Sequence, residues 1–110
     1  MAAEQRDSSV GVYGISVTAE LVGTGVQNLR AYERQGLVTP DRTSGGTRRY
    51  SDDDVERLRR IATLLADGLN LAGVARVLEL EVANAELQDR IDALTDPGSG
   101  GRSRQKPARR

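Results

Sequence analysis

Ala19, Gly23, Val26, Leu29 and Tyr32 constrain this chain more than any other set of residues. A small residue is needed where two helices cross closely, and a glycine four positions on can take the positive φ of a tight turn. Val26, Leu29 and Tyr32 then recur at helical intervals up to Gly36. The spacing predicts a short helix over Val17 to Val22, capped by Ser16, with Ala19 and Val22 facing inward. Thr24 has Gln27 three residues on, the spacing of a capping box, and so marks the start of a second helix. The outer face of that helix carries Gln27, Asn28, Arg30, Ala31 and Arg34. Gln and Asn can pair bidentately with adenine edges, and Arg reaches guanine or phosphate. Two readings fit: a recognition helix for the major groove, or a helical hairpin with a solvated polar face. Gln27 is divided between a base and its own helix cap.

Directly after this pair, Leu37 to Thr39 and Arg48 to Ser51 flank Pro40 to Thr47, a run of turn-formers with Gly45-Gly46 near its tip. A short β-hairpin is expected there. It presents Arg42, Thr47, Arg48, Arg49 and Tyr50, as a wing laid along the phosphate backbone would, or as a solvated surface hairpin. Tyr50 fits a DNA contact and a core plug equally. The formal net charge is zero, yet charge is segregated along the chain. From Thr24 to Tyr50 five arginines face two acids, Glu33 and Asp41, whereas from Glu79 to Asp96 six acids face Arg90 alone. Basic residues return at Arg102, Arg104, Lys106, Arg109 and Arg110. Such segregation suits a protein with one face on phosphate.

Ser51 and Asp54 form a further capping box, and Asp52, Asp53 and Asp54 lie in a first turn, where the helix dipole favours negative charge. That placement explains the three acids better than a metal or acid/base site does. The buried stripe of this third helix reads Val55, Leu58, Ile61, Ala62 and Leu65, with Gly68 as its stop. Arg57, Arg59 and Arg60 read as a solvated face balancing these acids, or as contacts to the DNA backbone. Asn70 caps a fourth helix carrying Leu71, Val74, Val77 and Leu78. At Leu80 the pattern turns heptad-like: Leu80, Leu87 and Leu94 are seven apart, with Asn84 and Ile91 between them. A lone helix of this length is marginal in water, so this seam needs a partner. Asn84 either fixes pairing register or stays wet. After Asp96, Pro97 ends the helix, and the Gly/Ser/Arg-rich remainder has too little apolar surface to fold. The expected organisation is therefore a flexible lead over 1–12, a DNA-binding domain over 13–79, a dimerisation helix over 80–96 and a disordered basic tail over 97–110.

The chain has neither cysteine nor histidine, which removes thiol sensing, soft-metal capture and the commonest general base. No cofactor and no enzymatic activity are expected. No apolar run approaches the ~20 residues of a membrane span, and Met1 to Ser9 is polar, so a cytoplasmic, nucleoid-associated protein is expected.

The run Leu29-Arg30-Ala31-Tyr32-Glu33-Arg34-Gln35-Gly36-Leu37-Val38, then Pro40 and Arg42, then Gly46-Thr47-Arg48-Arg49-Tyr50-Ser51, resembles the winged helix-turn-helix of the MerR family. The match continues through Val55, Leu58, Ile61, Gly68 and Leu71. Within the family, residues 44–50 and 68–74 are similar to the heat-shock-repressor branch. The resemblance implies a mainly α, winged helix-turn-helix fold with a short β-hairpin wing and a C-terminal dimerisation helix. It implies that the second helix enters the major groove, that helices three and four build a second wing, and that the last helix pairs antiparallel with its copy. By position, Arg30, Tyr32, Arg42, Arg48, Arg49 and Tyr50 would contact DNA, mostly its backbone. It also implies repression of chaperone genes with an Hsp70-type chaperone as co-repressor. Two departures stand out: Ala31 replaces a common second aromatic, and Asn28 a usual threonine.

The resulting expectation is a homodimer that places two recognition helices on an inverted repeat of double-stranded DNA and regulates transcription. Two alternatives stand beside it: an architectural, excisionase-like DNA-bending protein, and an adaptor that binds other proteins through its acidic last helix.

Overall fold

The computed structural model describes residues 7–95. The chain forms two compact units, one ending at Val74 and the other beginning at Ala75. The basic residues from Arg102 onward, expected to form a disordered tail, lie outside the described residues, as do positions 1–6 of the lead.

In the first unit, α1 (Ile15–Val22) and α2 (Val26–Arg34) are joined by a turn at Gly23, whose φ is 84°. The Gly23 and Thr24 amides both donate to the Ala19 carbonyl, at 2.9 and 3.0 Å, which closes α1 on the small residue that the spacing singles out. Both expected side-chain caps are displaced. Gly14, not Ser16, precedes α1, and Gly25, not Thr24, precedes α2; neither helix has a side-chain cap. In place of a cap, Thr18 turns its hydroxyl back to the Gly14 carbonyl at 2.8 Å and is fully buried. Apolar periodicity located these helices, and glycines rather than hydroxyls open them.

The hairpin pairs β1 (Asp41–Arg42) with β2 (Arg48–Arg49), antiparallel, with Asp41 opposite Arg49 and Arg42 opposite Arg48. The first strand thus starts later than Leu37. Leu37 and Val38 instead turn into the core, each 3% exposed, so their apolar character reports burial and not pairing. The tip closes through Thr43, whose amide donates to the Thr47 carbonyl and whose carbonyl accepts from Gly46, each at 2.8 Å; Gly46 takes a φ of 89°.

The stretch 7–12, expected as a loose lead, is tied to this hairpin. Val12 and Tyr13 both donate to the Tyr50 carbonyl at 2.9 Å, Tyr50 donates back to Tyr13 at 2.7 Å, and Ser8 accepts from the Asp53 amide at 3.0 Å. The Gly11 amide donates to the Asp41 carboxylate at 3.0 Å. Polar composition hid a segment that pairs through its backbone. A Cβ on Gly11 would lie 2.5 Å from the Arg49 carbonyl oxygen, so the two backbones touch here. Gly11→Ala is accordingly expected to destabilise the protein by about 1–3 kcal/mol, because the contact is backbone and cannot rotate away. Thermal unfolding of the variant measures it, and an unchanged midpoint would mean that residues 8–12 are not held this closely.

α3 (Asp52–Ala66) opens on the expected capping box: Ser51 accepts from the Asp54 amide and Asp54 from the Ser51 amide, both at 2.9 Å. Its buried stripe is Val55, Leu58, Ile61 and Leu64; Ala62 and Leu65 lie at its margin, half-buried. Gly68, at a φ of 103°, ends it. Asn70 then accepts from the Gly73 amide at 2.8 Å as the cap of α4. Leu29, Leu58, Ile61 and Val74 are fully buried, and α3 packs on α1. These residues form the core of the first unit.

α4 (Leu71–Thr95) runs as one helix, where a separate fourth and final helix were expected. The change to a heptad pattern at Leu80 is a change in what the helix faces, not a break in its backbone. From Glu79 to Thr95 every residue of the helix is exposed: Leu80, Leu87 and Ile91 are about half exposed and Leu94 is 81% exposed. Val77, Leu80, Ala83 and Leu87 line one open apolar face, with Asn84 among them and exposed. Among the described residues, no helix is long and apolar enough to cross a membrane.

Candidate nucleic-acid interface

On α2 the core-facing residues Leu29 and Tyr32 hold the helix down, at 0% and 7% exposure. Gln27, Asn28, Arg30 and Arg34 are exposed, and Ala31 is half-buried. Gln27, Arg30, Ala31 and Arg34 fall three or four apart and so share one surface of the helix. With Gly25 opening α2, Gln27 has no capping role, and its amide is available at the surface. Asn28 is partly engaged: its Nδ2 donates to the Thr24 hydroxyl at 2.8 Å. Arg30 and Arg34 hold no ion pair among the described residues, which leaves two uncompensated cations on the outer face.

The two tyrosines in the expected contact set do not share this exposure. Tyr32 packs inward from α2, and Tyr50 is completely buried, its hydroxyl without a hydrogen-bond partner among the described residues. Burial pushes the Tyr50 phenol above its ordinary range, with the neighbouring Glu33 charge adding to the effect. Tyr50 is therefore the core plug of its two readings, and Tyr32 is likewise a core residue. Both carry the apolar body that packing needs, which is why their place in the motif could not separate the roles.

The hairpin keeps its basic side chains near the surface. Arg42 and Thr47 are exposed, and Arg48 and Arg49 are half-buried. Glu33 of α2 reaches the hairpin: Oε2 accepts from Arg42 Nη2 at 2.7 Å and Oε1 from Arg48 Nε at 2.6 Å. The Arg48 hydrogen bond, foremost, holds the Glu33 carboxyl below the usual glutamate range. In the charge pattern of the sequence this acid only offsets part of the basic surplus. Its isolation among arginines on both sides was the one available signal of a shared partner.

Two further arginines serve the scaffold. Arg57 Nε donates to the Leu37 carbonyl, and Arg59 Nη2 to the Leu21 carbonyl at 3.2 Å. Arg59 thus satisfies one of the acceptors that the C-terminus of α1 leaves unpaired, and Arg57 a carbonyl of the segment that follows α2. Asp52, Asp53 and Asp54 stand in the first turn of α3, and Asp52 also accepts from the Tyr13 hydroxyl at 2.7 Å. No group of acidic side chains among the described residues is arranged to hold a metal ion. The arrangement is a helix with a hydrogen-bonding outer surface beside a short basic hairpin, which suits groove and phosphate contact.

Comparison with known proteins agrees with this geometry. A family model described as the MerR HTH family of regulatory proteins matches residues 13–81. A Streptomyces coelicolor protein that carries the heat-shock name HspR is 55% identical over 84 residues, which is 76% of this chain and 56% of that protein. The HTH-type transcriptional regulator GlnR of Bacillus anthracis is 36% identical over 78 residues, 71% of this chain and 60% of the relative. The chain thus spans little more than half the length of these two relatives. Among solved structures, HiNmlR, a MerR family regulator lacking the sensor domain and bound to promoter DNA, superposes with a TM-score of 0.61 at 26% identity, over 76% of this chain and 65% of that one.

Proposed function

Because the chain belongs to the MerR HTH family of regulatory proteins, we propose that it binds double-stranded DNA as a homodimer at an inverted repeat and represses stress and chaperone genes. The observation that carries this reading is the outer face of α2: Gln27, Asn28, Arg30 and Arg34 are all exposed on a helix whose opposite side is fixed in the core. In this arrangement α2 lies in the major groove, and the hairpin rests on the backbone through Arg48 and Arg49. Arg30 and Arg34 supply the uncompensated charge, and Gln27 and Asn28 the hydrogen bonds to base edges.

Support for repression of stress genes comes from the 55% identity to the protein named HspR. HiNmlR, a MerR family regulator to which this chain is similar, is found on promoter DNA, and this supports DNA binding. The apolar face of α4, open in the single chain, supports pairing through Leu80, Asn84, Leu87, Ile91 and Leu94. An Hsp70-type chaperone acting as co-repressor follows from the same likeness to the heat-shock branch, and a DNA-bound role places the protein at the nucleoid.

The test is selection of bound sequences from a random DNA pool with the full chain, followed by binding to the winner over a range of salt. The expected result is an inverted repeat with half-sites about two helical turns apart or closer, and affinity that falls linearly on a log–log salt plot. Strong bending with weak sequence preference would favour an architectural role instead. Weak binding with no recovered motif would overturn DNA reading and leave the acidic α4 as a protein-binding surface.

A further inference from the structure

Arg42 and Arg48 stand opposite each other on the two strands of the hairpin, so their guanidinium groups would repel without a shared anion. Glu33 supplies that anion from α2, one carboxylate oxygen to each arginine. The trio keeps one net positive charge, and its carboxylate is only 22% exposed.

The two arginines are held in different ways. Arg42 has both ends of its fork on protein, Nη2 on Glu33 and Nη1 on the Gly46 carbonyl at 3.0 Å. Arg48 is held through Nε alone. Its two Nη groups have no hydrogen-bond partner among the described residues. A guanidinium gripped at Nε has lost much of its rotamer freedom yet still offers two parallel N–H donors, the geometry that suits a phosphate. Ordering such a side chain before the ligand arrives removes an entropic penalty from binding.

Resting on the DNA-binding reading above, we propose that Glu33 is a positioning residue for DNA binding: it presents the free Nη edge of Arg48 to a backbone phosphate and fixes the hairpin to α2, while Arg42 is an internal strut. The hydrogen bond from Arg48, foremost, also holds the Glu33 carboxyl below the usual glutamate range, as expected of a carboxylate committed to two cations. An acid so placed helps an anionic ligand to bind because its charge is already committed to two cations.

The experiment measures affinity of the full chain for its selected operator, and the salt slope, for wild type, Glu33→Ala, Arg48→Ala, the double variant and Arg42→Ala. Glu33→Ala is expected to weaken binding about tenfold, and the double variant to bind no more weakly than Arg48→Ala alone, because contacting residues in one network do not add. Arg48→Ala should reduce the salt slope by about one, for one phosphate lost, whereas Arg42→Ala should leave it unchanged. Glu33→Gln keeps the side-chain shape and one acceptor; it is expected to fall between wild type and Glu33→Ala, and it substitutes for Glu33→Ala if that variant does not fold. Tighter binding by Glu33→Ala would show the carboxylate to be a repelling charge and overturn the proposal. So would an equal loss with and without Arg48, which marks a scaffold residue, or a slope change for Arg42→Ala matching that for Arg48→Ala. Failure of the wild-type chain to select any DNA brings down the DNA-binding reading itself, and the unmutated control alone reports it.

Discussion

Leu87→Asp is expected to leave the chain monomeric and to lower its affinity for a two-half-site operator by about a hundredfold or more, the scale of avidity lost when linked sites become independent. Leu87 sits midway along the apolar face of α4, with Leu80 and Ile91 on either side and all three about half exposed in the single chain. Paired with a second copy, this face would be removed from water, and a carboxylate placed there would be buried without a partner. The acids around it, Glu81, Glu86, Asp89 and Asp92, offer no cation to receive the new charge apart from Arg90. Sedimentation equilibrium reads the association state, and anisotropy titrations on one and two half-sites read the affinity. A Leu87→Asp protein that remained dimeric would rule out this face as the pairing surface.

Leu29→Ala should destabilise the first unit by about 2–5 kcal/mol, through lost transfer energy and the cavity left behind. Leu29 is fully buried and lies between Asn28 and Arg30, so the residue that anchors α2 alternates with those that face outward. Domains are stable by only about 5–15 kcal/mol, so a loss of this size is a large part of the total. Urea unfolding followed by circular dichroism, at fixed protein concentration because pairing would add stability of its own, measures the effect. A loss below about 1 kcal/mol would mean that α2 is not locked to the core at this position.

Much of this architecture was legible in the sequence, and the failures share a physical origin. Periodicity placed α1, α2 and α3, and local hydrogen-bonding chemistry placed the Ser51–Asp54 box, the Gly68 stop and the Asn70 cap; each depends on neighbours within a few positions. The misplaced features depend on distant partners. Residues 8–13 pair with the hairpin across nearly forty positions of chain, as the Tyr13–Tyr50 bridge shows, and nothing in a polar local sequence announces it. Leu37 and Val38 read as strand because β-pairing and core burial favour the same side chains. The caps of α1 and α2 fall on Gly14 and Gly25, two and one residues from the hydroxyls of Ser16 and Thr24, because glycine also takes the N-cap position and leaves no side-chain signal there. For the candidate interface, the exposed polar residues of α2 were legible from helical spacing. The inward direction of Tyr32 and Tyr50, and the shared use of Glu33, required the fold.

The placement of the tyrosines has an optical consequence. The chain has no tryptophan or phenylalanine, and its three tyrosines are Tyr13, Tyr32 and Tyr50. All three belong to the unit that ends at Val74, two of them buried, while α4 beyond that point carries no aromatic group. Near-ultraviolet ellipticity and intrinsic emission therefore originate wholly from the helix-turn-helix unit. They are silent toward the long part of α4, so melting of the first unit and dissociation of the proposed dimer would be recorded in one sample as two distinct signals, one aromatic and one hydrodynamic.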